Sequence, residues 1–218
     1  MLTPRQASTL LRLQSDMNSK VDPAWVTAAY PYLRAVVIEA AEAIEHHGWK
    51  WWKKQVCDLP QLQMELVDIW HFLLSEILLR DSGDMDKAAA TLQALMDNCS
   101  NAIVHCDGQT YNLQTMDLLG KLQLLIALSG LNRIELNVFA SILQDCQMDW
   151  SELYRQYVGK NVLNFFRQDN GYKDGSYRKI WGSREDNEHL VELMTALPQD
   201  SDNYPELLYA ALHQRYSG

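Results

Sequence analysis

Four carboxylates on two neighbouring predicted helices have the clearest capacity for chemistry in this sequence. Glu39 and Glu42 are three residues apart, so both lie on one face of their helix. Glu65 and Asp68 have the same spacing on the next helix. Their helical neighbours are apolar, and an ionised carboxylate is costly to bury unless a cation meets it. Because a cluster of oxygen donors suits hard divalent cations, the pattern predicts a site for magnesium or manganese.

A simpler interpretation is that these acids are solvated or paired with basic side chains, since Asp and Glu are usually exposed. The available partners are Arg34, Lys50, Lys53 and Lys54. Two acidic pairs on consecutive apolar helices favour the metal site over this alternative. Glu45 lies one turn beyond Glu42, and the sequence leaves open whether it joins the site or faces solvent.

A basic segment stands out in a chain whose formal net charge is -9. Lys160, Asn164 and Arg167 fall on one face of a predicted helix. The following loop contributes Tyr172, Lys173, Tyr177, Arg178 and Lys179. Arginine and lysine together suit a chain of phosphates, although a charge run usually faces water. Acids that need a metal, with cations that need an anion, indicate a metal-bound polyphosphate.

Two amides and a tryptophan-rich segment are weaker indications of a base-binding site. Gln14 and Asn18 are four residues apart, so both project from one side of the first helix. An amide presents a donor and an acceptor together, as the edge of a pyrimidine requires. Residues 49–53 are WKWWK, and one of these tryptophans could flank a base. Taken alone, these patterns favour solvent-exposed amides and tryptophans packed in the core.

Helical periodicity dominates the chain, with apolar residues at helical spacing over 5–18, 31–47 and 60–80. Further helices are predicted near 84–106, 113–129, 132–146, 150–167, 184–196 and 203–216, with a loop at 168–183. Gly108 marks a break between two of them. No period-two alternation is long enough to predict a sheet. The expected fold is all-α, a single helical domain spanning 1–218 whose metal-binding core is like a four-helix bundle.

The composition argues against several classes of function. Hydrophobic residues make up 47% of the 218 residues, which is enough for a sizeable core. The acidic balance is unsuited to general nucleic-acid binding, which needs a basic surface. No apolar stretch approaches the roughly 20 residues that span a bilayer, and the N-terminus lacks a signal-peptide pattern. The four cysteines have no zinc-binding spacing, so free thiols in a cytoplasmic protein are expected.

Together these segments resemble the dimeric dUTPases, which are all-α nucleoside triphosphate pyrophosphatases. The resemblance rests on EAAEAIEHHGWKWWK at 39–53, ELVDIWHFLLS at 65–75 and GKNVLNFFRQDNGYKDGSYRKIWGSREDN at 159–187. The acidic pairs alone indicate only the superfamily, whereas the third segment is long and specific to dUTPases. Residues 84–150 resemble the family only as generic helices, which leaves their contribution to the site open.

The resemblance implies hydrolysis of dUTP, and of dUDP, to dUMP by a homodimer whose active sites lie near the subunit interface. The implied magnesium ligands are Glu39, Glu42, Glu65 and Asp68. The implied uracil contacts are Gln14, Asn18 and Trp52. The implied phosphate and deoxyribose contacts are Lys160, Asn164, Arg167, Tyr172, Lys173 and Lys179.

The implied mechanism is metal-assisted attack of water on the polyphosphate. Glu42 is expected to take the proton of the water. Arg167 and Lys173 are expected to stabilise the charge that develops on phosphate oxygens. The sequence leaves the attacked phosphorus open, and the resemblance favours the β position. Gln14 and Asn18 should reject cytosine, because uracil and cytosine exchange a donor and an acceptor on the same edge.

Three other functions fit parts of the pattern. A dCTPase or a broader nucleoside triphosphate pyrophosphatase would use the same carboxylates. A helical di-iron oxidase is suggested by Glu65, Asp68 and His71, but such sites use two Glu-x-x-His motifs and His71 has no second counterpart. A non-enzymatic interaction module would use the WKWWK segment, and saturable magnesium-dependent nucleotide binding would count against it.

Overall fold

A computed structural model of the chain describes residues 1–197 and 203–217, and most of this part is helical. The helices are α1 Pro4–Val21, α2 Trp25–Ala28, α3 Tyr32–His47, α4 Leu59–Arg80, α5 Met85–Asp97, α6 Leu118–Gly130, α7 Leu136–Asp145, α8 Trp150–Asp169, α9 Asp186–Ala196 and α10 Tyr204–Ser217. Two short antiparallel hairpins join β1 Ile103–Cys106 to β2 Gln109–Asn112 and β3 Ile180–Trp181 to β4 Arg184–Glu185. The predicted all-α fold is confirmed. Residues 198–202 and 218 of the predicted domain lie outside the described residues.

Three of the helices that carry predicted site residues, α1, α4 and α8, begin at side chains that cap them. In α1, Thr3 and Gln6 form a capping box, in which each side chain binds the backbone N–H of the other. Asp58 accepts the backbone N–H of Gln61 at the start of α4, and Asp149 caps α8 in the same way. Each cap satisfies a donor that has no partner within the helix and stabilises it by about 1 kcal/mol.

Helix α4 is central to the packing and contacts α1, α3, α5 and α8. All eight apolar residues that the sequence places on its predicted inward face are buried: Leu62, Leu66, Ile69, Trp70, Leu73, Leu74, Ile77 and Leu78. Because α4 is covered on several sides, polar residues on the same helix are forced into contact with α1, α3 or α8. Four of them, Glu65, Asp68, His71 and Ser75, belong to the candidate site.

The first hairpin contradicts the predicted helix at 84–106. Helix α5 ends at Asp97, and residues 103–106 form β1 instead. Asp107 and Gly108 connect the strands with φ values of 51° and 70°. A two-residue turn with positive φ at both positions is the preferred hairpin connection, and Asp-Gly is its usual sequence. The interpretation of Gly108 as a break between helices missed this pattern.

Other predicted boundaries also shift. Helix α6 begins at Leu118 rather than near 113, because Asp117 caps it through the backbone N–H of Gly120. Helix α7 begins four residues later than predicted, at Leu136. The predicted loop 168–183 contains β3, which pairs with β4 at Arg184–Glu185. Because of this pairing, α9 begins at Asp186 instead of at the predicted residue 184. The short helix α2 was not predicted.

All four cysteines are free thiols, as expected from their spacing. Within residues 1–197 and 203–217, every helix is either too short or too polar to cross a bilayer.

Candidate active site

Three of the four predicted metal ligands meet where α3 packs along α4. Glu39, Glu42 and Glu65 each offer a carboxylate oxygen, and these oxygens lie within 4.8 Å of one another. Glu65 is buried, Glu39 is half-buried and Glu42 is exposed. The short connection between the helices thus brings acids from both pairs to one place, with one side open to solvent.

Asp68, the fourth acid, is held by a cation. Its Oδ2 accepts a hydrogen bond of 3.1 Å from Lys160 Nζ, and both side chains are largely buried. On the other side of the cluster, His46 Nε2 lies 3.3 Å from Glu65 Oε1. The sequence interpretation did not include His46, although its position one turn after Glu42 on α3 indicates that it shares that face.

Burial and repulsion by neighbouring carboxylates make Glu39 and Glu65 hold protons near neutral pH. Desolvation, followed by the charge of Asp68, raises the pKa of Glu39 to about 8. The same two causes raise the pKa of Glu65 to about 7. A bound cation would relieve the repulsion and displace these protons, so the donor set has the character of an oxygen-only metal site. Among the described residues, the candidate metal ligands that lie close together are all glutamates. A di-iron centre of the helical oxidases would also contain histidine ligands.

A cleft of about 480 Å³ opens between α1, α4 and α8 beside this cluster. Eight of the predicted site residues line it: Gln14, Asn18, Glu39, Asp68, Lys160, Asn164, Arg167 and Tyr172. His71 and Ser75 of α4 line it as well. A larger cavity, of about 1150 Å³, contains none of the predicted site residues. The smaller cleft is therefore the candidate active site, because eight of the predicted site residues line it and none of them lines the larger cavity.

Gln14 and Asn18, the two amides predicted to contact a base, belong to a buried hydrogen-bond network with His71, Ser75 and Tyr157. It is called here the base-recognition network after that prediction. Gln14 Oε1 lies 2.8 Å from His71 Nδ1 and accepts a 2.8 Å hydrogen bond from the Tyr157 hydroxyl. Gln14 Nε2 donates to Asn18 Oδ1 at 2.9 Å, and Ser75 Oγ donates to the same oxygen at 3.1 Å. The expectation of solvent-exposed amides is wrong, because α4 and α8 cover this face of α1.

Two atoms of the base-recognition network have no hydrogen-bond partner within the described chain. They are Asn18 Nδ2, a donor, and His71 Nε2. Burial, with a contribution from Lys160, lowers the pKa of His71 to about 3, so the ring is neutral. With its proton on Nδ1 toward Gln14, His71 presents an acceptor at Nε2. Since unpaired buried polar atoms are costly, this donor and acceptor are suited to a ligand in the cleft.

Arg167 lines the cleft but already has a buried partner. Its Nε and Nη2 donate to the two carboxylate oxygens of Asp186 at 2.8 and 2.9 Å, and its Nη1 donates to Asn164 Oδ1 at 3.2 Å. Tyr177 adds a hydrogen bond of 2.8 Å to Asp186. Although burial opposes it, the hydrogen bonds from Arg167 lower the pKa of Asp186. The guanidinium therefore has a structural partner, which the sequence interpretation did not foresee.

Three predicted site residues lie outside both the glutamate cluster and the cleft lining. Trp52 is exposed and contacts the ring of Trp51 edge to face at 4.5 Å, so the expectation that these two tryptophans pack in the core is wrong. Lys173 Nζ donates to the carbonyl of Val21 at 3.2 Å. Lys179 Nζ pairs with Glu185 at 3.0 Å on the surface.

A family model described as dUTPase matches residues 6–172 of the chain. No curated protein matches it. The matched span runs from α1 through α8 and contains the three clustered glutamates and every residue that lines the candidate cleft.

Proposed function

Because the chain belongs to the dUTPase family and is therefore a dUTP diphosphatase, we propose a magnesium-assisted hydrolysis that converts dUTP to dUMP and pyrophosphate and also accepts dUDP. The observation that supports it best is that the clustered carboxylates and the unpaired atoms of the base-recognition network adjoin one cleft. A nucleotide is the ligand that would use both features, with its phosphates near the acids and its base near the amides.

The acidic cluster suits magnesium because it offers oxygen donors only. Glu39, Glu42 and Glu65 would hold the ion, with Asp68 beside them. A bound magnesium ion would supply positive charge to phosphate oxygens and make a nearby water more acidic. His46 contacts Glu65 from outside this group and would hold its carboxylate in place.

The remaining polar groups of the cleft would bind and orient the polyphosphate. Glu42 is the exposed member of the cluster, and we assign to it the removal of a proton from the attacking water. Lys160, fixed against Asp68, would present its charge to the phosphates. Asn164 and Tyr172 would donate hydrogen bonds from the same side of the cleft. Arg167 orients Asn164 and would contribute charge from behind it.

The other proposed phosphate ligands, Lys173 and Lys179, belong to the loop after α8. Both are bound elsewhere, so their participation requires the loop to move toward the cleft when substrate binds. The same condition applies to Trp52 as a uracil contact, because the segment between α3 and α4 holds its ring among other tryptophans.

Recognition of uracil follows from the two unpaired atoms. Uracil carries an N3–H donor between two carbonyl acceptors. His71 Nε2 would accept the N3–H, and Asn18 Nδ2 would donate to a neighbouring carbonyl. Cytosine keeps the C2 carbonyl but presents the opposite groups at N3 and C4. With the hydrogen bonds arranged in this way and Asn18 directed at the C4 group, both buried atoms would stay unpaired against cytosine.

We also propose a cytoplasmic homodimer with its active sites near the interface. Trp51 is 87% exposed and Val56 is 83% exposed, on the segment that links the two acidic helices. Large exposed apolar side chains this close together favour a protein contact. Four free thiols suit a reducing compartment.

The test is release of pyrophosphate from dUTP, dCTP, dTTP and UTP, with magnesium and with a chelator. We expect hydrolysis of dUTP in preference to the others and its loss in the chelator. Turnover that is insensitive to the chelator would overturn the metal assignment. Equal kcat/KM for all four nucleotides would leave a pyrophosphatase of broad specificity.

A further inference from the structure

We propose that the base-recognition network has two opposite hydrogen-bond directions, and that the Tyr157 hydroxyl permits the second, in which the site binds cytosine. The inference rests on the proposed function, because it concerns the same base site. It makes Tyr157, which lies behind the residues that would touch the base, a specificity-determining residue.

In the first direction, hydrogen bonds run toward Gln14 Oε1. Tyr157 donates its hydroxyl hydrogen to this oxygen, and His71 donates from Nδ1, each at 2.8 Å. Gln14 Nε2 then donates to Asn18 Oδ1 at 2.9 Å. The donor at Asn18 Nδ2 and the acceptor at His71 Nε2 are left for the base, which is the arrangement that uracil satisfies.

The second direction exchanges the oxygen and nitrogen of both amides, and apart from these only hydrogen atoms change position. Gln14 would donate to the Tyr157 oxygen and to His71 Nδ1, and the Tyr157 hydrogen would turn to the carbonyl of Leu10, which is 3.3 Å away. Asn18 would donate to Gln14 and to Ser75 Oγ. The Ser75 hydrogen has an alternative acceptor in the carbonyl of His71, at 2.9 Å. Every donor among these contacts keeps an acceptor.

This reversal exchanges what the cleft presents to the base. Asn18 would offer an oxygen acceptor, and the neutral His71 would carry its proton on Nε2 as a donor. Cytosine presents an amino donor beside an unprotonated ring nitrogen, so it satisfies the reversed pair. The two ends of an amide are nearly equal in size, and the shape of the cleft stays the same.

The two hydroxyls make reversal possible because each can donate or accept. Tyr157→Phe keeps the ring that stacks on His71, with centroids 4.1 Å apart, but removes the hydroxyl. In the first direction Gln14 Oε1 still accepts from His71. In the second direction one Gln14 N–H would be buried without an acceptor, which is the costly case. The substitution should therefore disfavour cytosine while sparing uracil.

The experiment measures calorimetric binding of dUMP and dCMP, together with kcat/KM for dUTP and dCTP, in the wild type, Tyr157→Phe and Ser75→Ala. We expect Tyr157→Phe to weaken dCMP binding roughly tenfold relative to dUMP, since an unpaired buried donor has about that effect. Ser75→Ala removes the acceptor for Asn18 in the reversed direction, so it should also weaken dCMP binding relative to dUMP binding. Tyr204→Phe is the matched control, because Tyr204 is also buried but lies outside the cleft lining. It should leave the ratio of dCMP affinity to dUMP affinity unchanged.

Damage to packing alone would weaken dUMP and dCMP equally, and that result would overturn the inference. So would a wild-type protein that binds dUMP but shows no binding of dCMP. Failure of the proposed function is seen separately, as an absence of pyrophosphate release from dUTP, and the monophosphate titrations still test the network in that case. A wild type that binds neither monophosphate would overturn both the base site and the inference.

Discussion

Among the described carboxylates, Glu39 and Glu65 are those whose pKa values are raised most, to about 8 and about 7. Both lose water by packing between α3 and α4, and both face the charge of Asp68. A protein gains nothing in stability from such repulsion, which supports the proposal that a cation binds there. The loss of folding stability caused by this repulsion should be measurable when no metal is present.

The metal-free protein should lose stability as the pH rises from about 4.5 to about 8. The pKa values of Glu39 and Glu65 are raised from 4.5 to about 8 and about 7. The folded state therefore binds protons more tightly than the unfolded state, and this stabilisation disappears as those protons leave. Thermal melting in a chelator across this pH range checks it.

Magnesium should flatten this pH dependence, and so should Glu65→Gln, which removes one ionisable member of the cluster while keeping its volume. Glu76→Gln on the same helix is the control. Glu76 lies away from the cluster, and its Oε1 is 2.8 Å from Arg80 Nε. A melting temperature that rises with pH in the chelator would contradict the assignment.

Arg167→Ala should destabilise the fold by about 3–5 kcal/mol, because it leaves the carboxylate of Asp186 buried without its cation. The measurement is urea denaturation. Arg155→Ala on the same helix is the control, since its pairing with Glu152 is partly exposed and such pairs contribute about 0–1 kcal/mol. A small loss of stability with a large loss of kcat would show instead that Arg167 acts mainly on the substrate.

At the scale of elements, the sequence predicted what periodicity controls. Helices α1, α3, α4 and α8 were predicted within a few residues because each has an apolar face at helical spacing and a cap or proline at its start. The β1–β2 hairpin was missed because its strands are only four residues long, too short for a period-two pattern to stand out. Its one strong indication was the Asp-Gly pair at the turn.

Gly108→Ala should cost about 1–2 kcal/mol in the free energy of unfolding, because Gly108 has a φ of 70°. A Cβ there would meet nothing within 4 Å, so the cost is that of the backbone alone. Gly130→Ala is the control, since Gly130 ends α6 without positive φ and is equally unobstructed. It should be neutral or slightly stabilising. Equal denaturation midpoints for the two variants would contradict this account.

The base-recognition network shows a different limit of sequence interpretation. Gln14 and Asn18 were noticed for their spacing, but the burial that gives them a role comes from helices distant in sequence. His71 was considered only as an iron ligand, and Tyr157 was not considered. Hydrogen bonds between three helices depend on packing geometry that no single segment specifies.

At the scale of the whole molecule, the exposed apolar segment between α3 and α4 gives a test of assembly. Replacing Trp51 and Val56 with serine should shift the proposed dimer toward monomer, measured by sedimentation across protein concentration. Val191→Ser is the control, because Val191 is also an exposed apolar residue but lies on α9. A wild-type protein that sediments as a monomer at all concentrations would contradict the proposal.

The base-recognition network joins α1, α4 and α8, and this has a consequence for how nucleotide binding affects the motions of the chain. The proposed base pocket requires all three helices to be packed together, so a bound base would have to dissociate before they separate. Ligand should therefore slow hydrogen exchange at the most protected backbone amides of these helices, which exchange through global opening. The protection should grow with the logarithm of ligand concentration above Kd. Amides at the β1–β2 turn, which can open without disturbing the pocket, should exchange at the same rate with and without nucleotide.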